Sequence, residues 1–386
     1  MSFMKLPVLR HGLMVRHEDI LPDSAVTRRI EAVRKLMAIN KVPALAVYSD
    51  ATHTGPVCYL TNYPCYGLGR RAVAVLGPKE GPFLFTAEPS RNLPRVRRFT
   101  TCDLEKARRY LPAAFERVRA LSAEGVVGLA GLTDLASGPL KDVEKDLASL
   151  KGKDLSQELA VLLAAKDESS LKATKRALAM AEQGMKLLSE QATSGKDLWQ
   201  MAAYVDHGLR LLGCEDTNIL LACSERGRLR PGYPAKTRPG PKDTIVALVA
   251  AQYARHWGIT GRNLFVGPAP KAFENRGGQL SRAKEQIASQ TKPGMTIDQV
   301  VSVVSKVGSQ AGLPFGLDLP VASGIGYDLS EYPNRPEDRI GQNTVLQVAL
   351  AADIDHSTVM AVDMLHVTQA GGAWLAPEAV THDLQA

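Results

Sequence analysis

The spacing of apolar residues in the first part of the chain predicts alternating helices and strands. A helix is indicated by apolar positions three or four residues apart at Ile30, Val33, Leu36 and Met37. Short apolar runs rich in β-branched and aromatic residues indicate strands. The predicted helices cover residues 25–39, 104–121 and 140–150, and the predicted strands cover residues 43–48, 72–76 and 83–85. This alternation is typical of a small α/β domain.

A different pattern begins near Val161, where longer helical segments are followed by longer apolar runs. A helix is predicted to start after Thr296, because Gln299 three residues later completes a capping box. The other predicted helices begin near residue 166 and cover residues 198–212 and 280–289, and the predicted strands cover residues 244–250, 262–266, 343–350 and 359–367. The order helix–helix–strands occurs twice. It indicates an α+β domain with helices on one face of a curved antiparallel sheet.

The amino-acid composition is typical of a globular protein. Of its 386 residues, 45% are hydrophobic and 23% are charged, and no apolar run reaches the ~20 residues of a membrane span. The five cysteines show no Cys-x-x-Cys spacing, and the N-terminal residues show no export signal. We therefore expect a soluble cytoplasmic protein. No dinucleotide, phosphate-loop or Gly-x-Ser-x-Gly motif is present, so we expect no nucleotide cofactor and no serine hydrolase.

The net charge of +7 is concentrated in two basic segments, residues 91–109 and 226–242. Basic segments can contact nucleic acids or acidic ligands. Neither aromatic interleaving nor a nucleic-acid motif accompanies these two, so a solvated face is the preferred interpretation. We expect no nucleic-acid partner and no membrane partner.

Five short motifs occur in a characteristic order. They are Tyr59-Leu60-Thr61-Asn62-Tyr63, Lys166-Asp167-Glu168-Ser169-Ser170-Leu171, Lys292-Pro293-Gly294-Met295-Thr296, Gly324-Ile325-Gly326 with Glu331-Tyr332-Pro333, and His366-Val367-Thr368. Over residues 25–375 the chain resembles the creatinase and aminopeptidase P superfamily, which has the "pita-bread" fold. The resemblance implies an α+β protein of two domains. A small α/β creatinase-type domain is expected at residues 1–160, and a pita-bread domain at residues 161–386.

The metal-dependent members of this superfamily bind two divalent ions through two aspartates, one histidine and two glutamates, because hard cations prefer carboxylate ligands. The resemblance places these five ligands on Leu248, Ile259, Ser323, Ala349 and Val362. None of the five side chains provides a ligand of that kind. We expect neither a metal nor any other cofactor.

The metal-free chemistry of creatinase is also missing. Its histidine falls near Pro231, and its two glutamates fall on Gly261 and Ala349. Arg70, by contrast, occupies the place of a creatinase arginine that reaches across a dimer to bind the substrate carboxylate, and Arg335 lies within one residue of a second. The resemblance therefore implies a dimer, either a homodimer or a heterodimer, in which the N-terminal domain completes the partner's pocket. Solvated surface arginines are the alternative.

Four further residues are candidates for a rebuilt site. We interpret His256 as a proton carrier and Cys223 as a nucleophile, and Tyr253 and Ser323 as substrate-binding residues. The alternatives are a space-filling histidine and an inert buried cysteine. The run Asp353-Ile354-Asp355-His356 is interpreted as a turn rather than a metal cluster. Asp363 is interpreted as a structural hydrogen-bonding residue.

Two functions remain open from the sequence. One is a metal-independent hydrolase or lyase that acts on a small carboxylate-bearing compound. The other is a non-catalytic protein that serves as a binding module or partner subunit. Replacement of ligands by apolar residues is compatible with both, since an apolar pocket floor suits an organic ligand.

Overall fold

The chain forms two compact units. A computed structural model describes residues 16–65, 71–100, 102–105, 107, 109–122, 126–132, 141, 145, 147–225, 227–273, 276–314, 321–354 and 357–376. The division between the units falls between Leu163 and Ala164. Within the described residues, no helix is both long enough and apolar enough to cross a membrane.

The first unit is an α/β domain built on a six-stranded mixed sheet. Its helices are α1 (Asp23–Ile39), α2 (Gly55–Thr61), α3 (Leu93–Val96), α4 (Tyr110–Leu121) and α5 (Ser156–Ala164), and its strands are β1 (Leu45–Ser49), β2 (Ala72–Leu76), β3 (Phe83–Thr86), β4 (Asp103–Glu105), β5 (Val126–Ala130) and β6 (Lys151–Asp154). The strand order is β4-β3-β2-β1-β5-β6. The strands β1, β2 and β3 pair antiparallel, and the other neighbours pair parallel.

One predicted helix in this unit is wrong at its beginning. Residues 104–121 do not form a single helix, because Leu104 lies in β4 and pairs with Leu84 of β3. The helix starts at Tyr110. Pairing at the edge of the sheet overrides the local helical pattern here, as tertiary context commonly does. In the other predicted helix, residues 140–150, residues 141, 145, 147 and 148 are helical, residues 149 and 150 are not, and residues 140, 142–144 and 146 lie outside the described residues.

The second unit contains one antiparallel sheet and four helices among its described residues, besides the end of α5. The helices are α6 (Glu168–Gln191), α7 (Leu198–Leu211), α8 (Arg276–Gln290) and α9 (Ile297–Gln310), and the strands are β7 (Asp216–Ser224), β8 (Thr244–Tyr253), β9 (His256–Phe265), β10 (Ala322–Gly324), β11 (Val345–Ile354), β12 (Ser357–Thr368) and β13 (Gly371–Trp374). The strand order is β10-β11-β12-β9-β8-β7, with β13 paired to β12. This is the α+β architecture that the sequence predicts.

The two faces of this sheet carry different sets of side chains. On the face that we call the helix face, Ile245 and Val249 pack with α6 and α7, and Val348 and Leu365 pack with α8 and α9. The opposite face, which we call the inner face, carries the side chains that alternate with these, such as Leu248. Side-chain alternation along each strand thus separates the two layers.

Local sequence fixes the helix ends. Thr296 and Gln299 form the predicted capping box at the start of α9, where the Gln299 backbone N–H donates to the Thr296 hydroxyl at 3.3 Å. A second capping box, formed by Asp197 and Gln200, starts α7 and was not predicted. The same Asp-x-x-Gln spacing could have revealed it.

Helix α6 lies so close to β9 that only glycine fits at position 258. A Cβ atom there would collide with the backbone of Ala177 and Leu178 in α6. We expect Gly258→Ala to lower the free energy of unfolding by about 3 kcal/mol, because the helix must move away from the sheet. Urea denaturation followed by circular dichroism measures this change.

Gly278→Ala is the matched control for this experiment. Gly278 lies in α8 with open space around it. Alanine there should raise stability by about 0.5–1 kcal/mol, since it removes backbone freedom from the unfolded chain. Equal effects of the two substitutions would contradict the close approach of α6 to β9.

Candidate functional site

The five positions that the resemblance assigns to metal ligands lie together on the inner face. Ala349 of β11 is paired with Val362 of β12, Val362 with Gly261 of β9, and Gly261 with Leu248 of β8. These four residues form one row across four strands, and directly paired residues share a face. Ile259 lies two residues from Gly261 on the same face. We call Leu248, Ile259, Ala349 and Val362 the ligand-position row.

Ser323 completes the set from the neighbouring strand β10. It is paired with Gln347, which lies two residues from Ala349 in β11 and therefore faces the same side. The Gln347 side-chain amide donates a hydrogen bond to the Ser323 hydroxyl oxygen at 2.8 Å and another to the Leu329 carbonyl at 2.8 Å. Ser323 is buried and occupied by this contact. Its predicted role in substrate binding stays a prediction.

The ligand-position row is packed as hydrophobic core. Leu248 is 8% exposed, Ile259 4%, Ala349 9% and Val362 2%, and all four belong to one apolar cluster. The other buried members are Leu178, Leu229, Val246, Ala250, Trp257, Ile325, Val345, Ala351, Met360 and Met364. Gly261 is needed because a Cβ atom there would lie 2.7 Å from a methyl group of Val362. The row is close-packed from strand to strand.

These side chains do not fit a metal centre. Divalent ions of the family require carboxylate or imidazole donors, and four of the five positions carry hydrocarbon. Across the part of the chain that the structure describes, no group of three His, Cys, Asp or Glu side chains is placed to hold a metal ion. The residues at these positions therefore disagree with a metal site in the chemical type of their side chains.

His256, the predicted proton carrier, is fully buried at the first position of β9. Its Nδ1 lies 2.8 Å from the carbonyl oxygen of Ala254, and its ring lies 4.4 Å from the ring of Tyr327, centroid to centroid. The adjacent turn has positive φ at Ala254 and Arg255, and the Arg255 guanidinium pairs with the buried carboxylate of Glu215 at 2.7 Å. His256 therefore sits in a rigid, enclosed turn. Its catalytic role stays a prediction.

Cys223 and Tyr253 lie on the helix face, opposite the ligand-position row. Both side chains pack against the cluster formed by α6, α7 and the helix face of β8. The Arg176 guanidinium lies 5.9 Å from the centre of the Tyr253 ring. Burial, together with the charge and hydrogen bond of Asp243, raises the pKa of the Cys223 thiol to about 11. A thiol with this pKa is protonated at neutral pH and is a weak nucleophile.

The two candidate arginines do not extend the site among the described residues. Arg335 is exposed, and its backbone N–H donates to the Asp338 carboxylate at 2.9 Å in a turn after the glycine loop. Arg70 lies outside the described residues. The structure thus brings Ser323 to the ligand-position row and separates Cys223 and Tyr253 from it.

Sequence reasoning missed a charged cluster beside the row. Arg262 of β9 donates to the Asp363 carboxylate at 2.7 Å and to the Val362 carbonyl at 3.1 Å. Lys284 of α8 binds the other carboxylate oxygen of Asp363 at 2.9 Å. Burial raises the pKa of the nearby Glu182 carboxyl; Arg262 opposes this shift, Asp363 adds to it and Lys284 opposes it. The structural role predicted for Asp363 is confirmed, but its partners are not evident from the sequence.

A second buried ion pair supports the glycine loop. Lys166 pairs with Glu331, and the Lys166 side chain is 1% exposed. A Cβ atom at Gly326 would collide with both side chains. The backbone N–H of Trp257 donates to the Gly326 carbonyl at 2.7 Å, which ties the loop to the β8–β9 hairpin. The loop that carries the histidine ligand in metal-dependent members is therefore retained as structure.

The sheet topology, the helix layer and the glycine loop together define a pita-bread protein. The chain belongs to metallopeptidase family M24, whose model matches residues 172–368. It is 21% identical over 236 residues to an Xaa-Pro dipeptidase of Pyrococcus horikoshii, a match that covers 60% of this chain and 66% of the relative. A match to the Xaa-Pro dipeptidase of Pyrococcus furiosus has 23% identity over 220 residues and covers 56% and 58%. The chain thus matches less than two thirds of the length of these relatives.

Solved structures have the same fold over nearly the whole chain. The prolidase from Pyrococcus horikoshii gives a TM-score of 0.75 at 17% identity, covering 91% of this chain and 99% of that one. The X-Pro aminopeptidase from Thermotoga maritima gives 0.74 at 16% identity, covering 88% and 97%. The predicted superfamily and the two-domain α+β architecture are confirmed.

A carboxylate introduced singly into the ligand-position row should destabilise the fold. We expect Ile259→Asp to lower the free energy of unfolding by about 3–5 kcal/mol, because the charge would be buried without a partner. Ile259→Val, which keeps the apolar surface, should cost about 0.5–1.5 kcal/mol. Thermal and urea denaturation measure both variants. An Ile259→Asp variant as stable as Ile259→Val would show that the row is open to water or to cations.

The thiol of Cys223 should react slowly at neutral pH. Because burial raises its pKa to about 11, the rate of alkylation by iodoacetamide should rise about tenfold per pH unit between pH 8 and 10. Quenched time points, digestion and mass spectrometry of the Cys223 peptide give this rate. In urea the same peptide should reach half of its maximal rate near pH 8.5, as an ordinary thiol with a pKa of about 8.5 does. A plateau below pH 9 in the native protein would favour the nucleophile interpretation.

Proposed function

We propose that this chain is a metal-independent member of family M24 that functions by binding a partner molecule and has no metallopeptidase activity. The single observation that carries this proposal is the ligand-position row, in which Leu248, Ile259, Ala349 and Val362 are packed into one apolar cluster. A hydrolytic dinuclear centre needs several charged donors around a water nucleophile. This row supplies dispersion contacts instead.

The scaffold around the row is well ordered by buried polar contacts, which supports a binding role over simple loss of function. Lys166 and Glu331 form a buried ion pair under the glycine loop, and Gln347 donates a hydrogen bond to Ser323. The charged cluster of Arg262, Asp363 and Lys284 holds β9, β12 and α8 together. A protein that preserves these buried polar contacts keeps a well-defined surface on which a partner can bind.

The alternative is the metal-independent hydrolase or lyase acting on a small carboxylate-bearing compound. It requires an acid/base pair near a bound substrate. Among the described candidates, Cys223 and Tyr253 lie on the face opposite Ser323, and His256 is enclosed by Tyr327. The alternative therefore depends on Arg70, which is outside the described residues. We retain it as the second candidate.

A metal-binding and peptidase experiment tests the proposal. After chelation and desalting, the protein is titrated with Mn²⁺ and Co²⁺ by calorimetry and then assayed with Xaa-Pro dipeptides in the presence of either ion. We expect no stoichiometric binding and no dipeptide hydrolysis, because the family's ligand positions carry no carboxylate or imidazole donors. The Xaa-Pro dipeptidase of Pyrococcus furiosus, treated in the same way, is the positive control.

Each possible result of this experiment is informative. Two tightly bound ions per chain with chelator-sensitive hydrolysis would overturn the proposal. Turnover of small carboxylate-bearing compounds that survives chelation would support the enzyme alternative and exclude a purely binding role. Absence of both activities together with a bound partner supports the proposed function.

A further inference from the structure

The segment between β7 and β8 is basic, and Glu225 and Asp243 at its two ends are its acidic residues. Residues 226–242 include six arginines and lysines, four prolines and one tyrosine, and no aspartate or glutamate. Arg226 lies outside the described residues, and residues 227–242 are described. We call residues 227–242 the basic loop.

The basic loop is held against the sheet by its first half. Leu229 joins the inner-face cluster, and its backbone N–H donates to the Thr358 hydroxyl at 2.8 Å. Gly232 accepts a backbone hydrogen bond from Leu221 of β7 at 2.7 Å. Arg228 and Arg230 both lie within 3.5 Å of one Asp353 carboxylate oxygen. The first half of the loop is thus fixed and partly neutralised.

The second half of the loop joins the start of α7. The backbone N–H groups of Leu198 and Trp199 donate to the carbonyls of Thr237 and Ala235 at 3.0 and 3.1 Å. These bonds satisfy N–H groups of the first turn of α7, which otherwise lack partners within the helix. They place the backbone of Trp199, whose side chain is exposed, next to residues 235–237 of the basic loop.

Four exposed side chains on these two segments form what we call the docking surface: Trp199, Tyr233, Lys236 and Arg238. Trp199 is 60% exposed and Tyr233 is 88% exposed. Lys236 and Arg238 are also exposed, and no carboxylate among the described residues pairs with either of them. Large exposed aromatic rings beside unpaired cations are unusual on a surface without a partner.

The chemistry of the docking surface fits an acidic polypeptide better than a nucleic acid. Nucleic-acid binding at moderate salt needs several neutralised phosphates, about six to ten in a typical duplex complex. Here Arg228 and Arg230 are already paired with Asp353, so Lys236, Arg238 and Lys242 are the cations of the basic loop that remain, fewer than such a complex needs. Trp, Tyr and Arg are the residues that dominate the energetics of protein interfaces.

We infer that the docking surface binds an extended acidic segment of a partner protein. Carboxylates of that segment would pair with Lys236 and Arg238, and an apolar side chain between them would pack on Trp199 and Tyr233. The inference deepens the proposed binding role and rests on it. It differs from the expectation of a solvated face, which the sequence favoured because neither aromatic interleaving nor a nucleic-acid motif accompanies the basic segment.

Fluorescence anisotropy with a defined peptide tests this inference. The probe is a fluorescein-labelled peptide of about twelve residues in which glutamates flank a central Leu-Phe pair. We expect binding at low salt that weakens as salt is added. The double variant Lys236→Glu/Arg238→Glu should weaken binding at least about tenfold, since it places like charges opposite the probe. Trp199→Ala should weaken it about fivefold or more, as loss of an aromatic anchor does.

Matched variants and probes separate the docking surface from general charge effects. Lys151→Glu/Lys153→Glu makes the same charge change on the exposed strand β6, and Ile39→Ala shortens an equally exposed apolar side chain. Both should bind the probe like the unaltered protein. A probe with glutamine in place of glutamate should bind at least about tenfold more weakly. Circular dichroism verifies that each variant is folded.

Three results would overturn the inference. They are no binding of the glutamate probe at low salt, equal weakening by the control variants, and tighter binding of a single-stranded oligothymidylate than of the peptide. The last result would assign the surface to nucleic acid. None of these results changes the metal titration, so the docking surface can fail while the proposed metal independence stands.

Discussion

The packing of hydrocarbon across the inner face determines what the second unit can do. Leu248, Gly261, Val362 and Ala349 are paired across four strands, so each side chain fixes the space left for the next. The clearest case is Val362, whose side chain packs so close to Gly261 that no Cβ atom fits at position 261. Because protein interiors are close-packed, the row behaves as one unit rather than as separate sites. Its apolar character is therefore a property of the sheet.

The charged groups near this row pair with one another and lie outside the apolar cluster. Arg262 and Lys284 neutralise Asp363, which follows Val362 in the chain but points to the helix face. Lys166 and Glu331 neutralise each other beneath the glycine loop. These ion pairs are half-buried or buried, and each charge has a partner that offsets its desolvation. Alternation along the strands keeps the charges away from the hydrocarbon layer.

Much of the fold could be predicted because local signals agree with it. The capping box at Thr296, the long apolar stripe of α6 and the β-rich runs of the second unit all appear in the structure close to their predicted places. Strand β9 begins at His256 rather than at the predicted residue 262, because the residues before 262 include Gly258 and Gly261, which weaken a strand pattern. Those glycines are required by α6 and by Val362.

The candidate site was harder to predict because it depends on faces and partners. The resemblance located the ligand-position row, and strand register brought its members together. Cys223 and Tyr253 were assigned to the same pocket because residue type alone does not reveal the face of a strand. Likewise, the contact between Trp199 and the basic loop joins segments that the sequence keeps well apart. The face of each strand residue and its partners follow from pairing between segments that are distant in the sequence, which the structure shows.

The glycine at position 261 has a consequence for how such a site can change over time. With Val362 seated against it, a longer side chain at position 362 or at position 261 requires the other to change as well. A carboxylate at one position would have no ion and no neighbouring donor until the remaining ligands were also present. Stepwise introduction of the family's ligands therefore passes through destabilised variants. Packing across these strands thus opposes conversion of the apolar row into a metal centre by single substitutions.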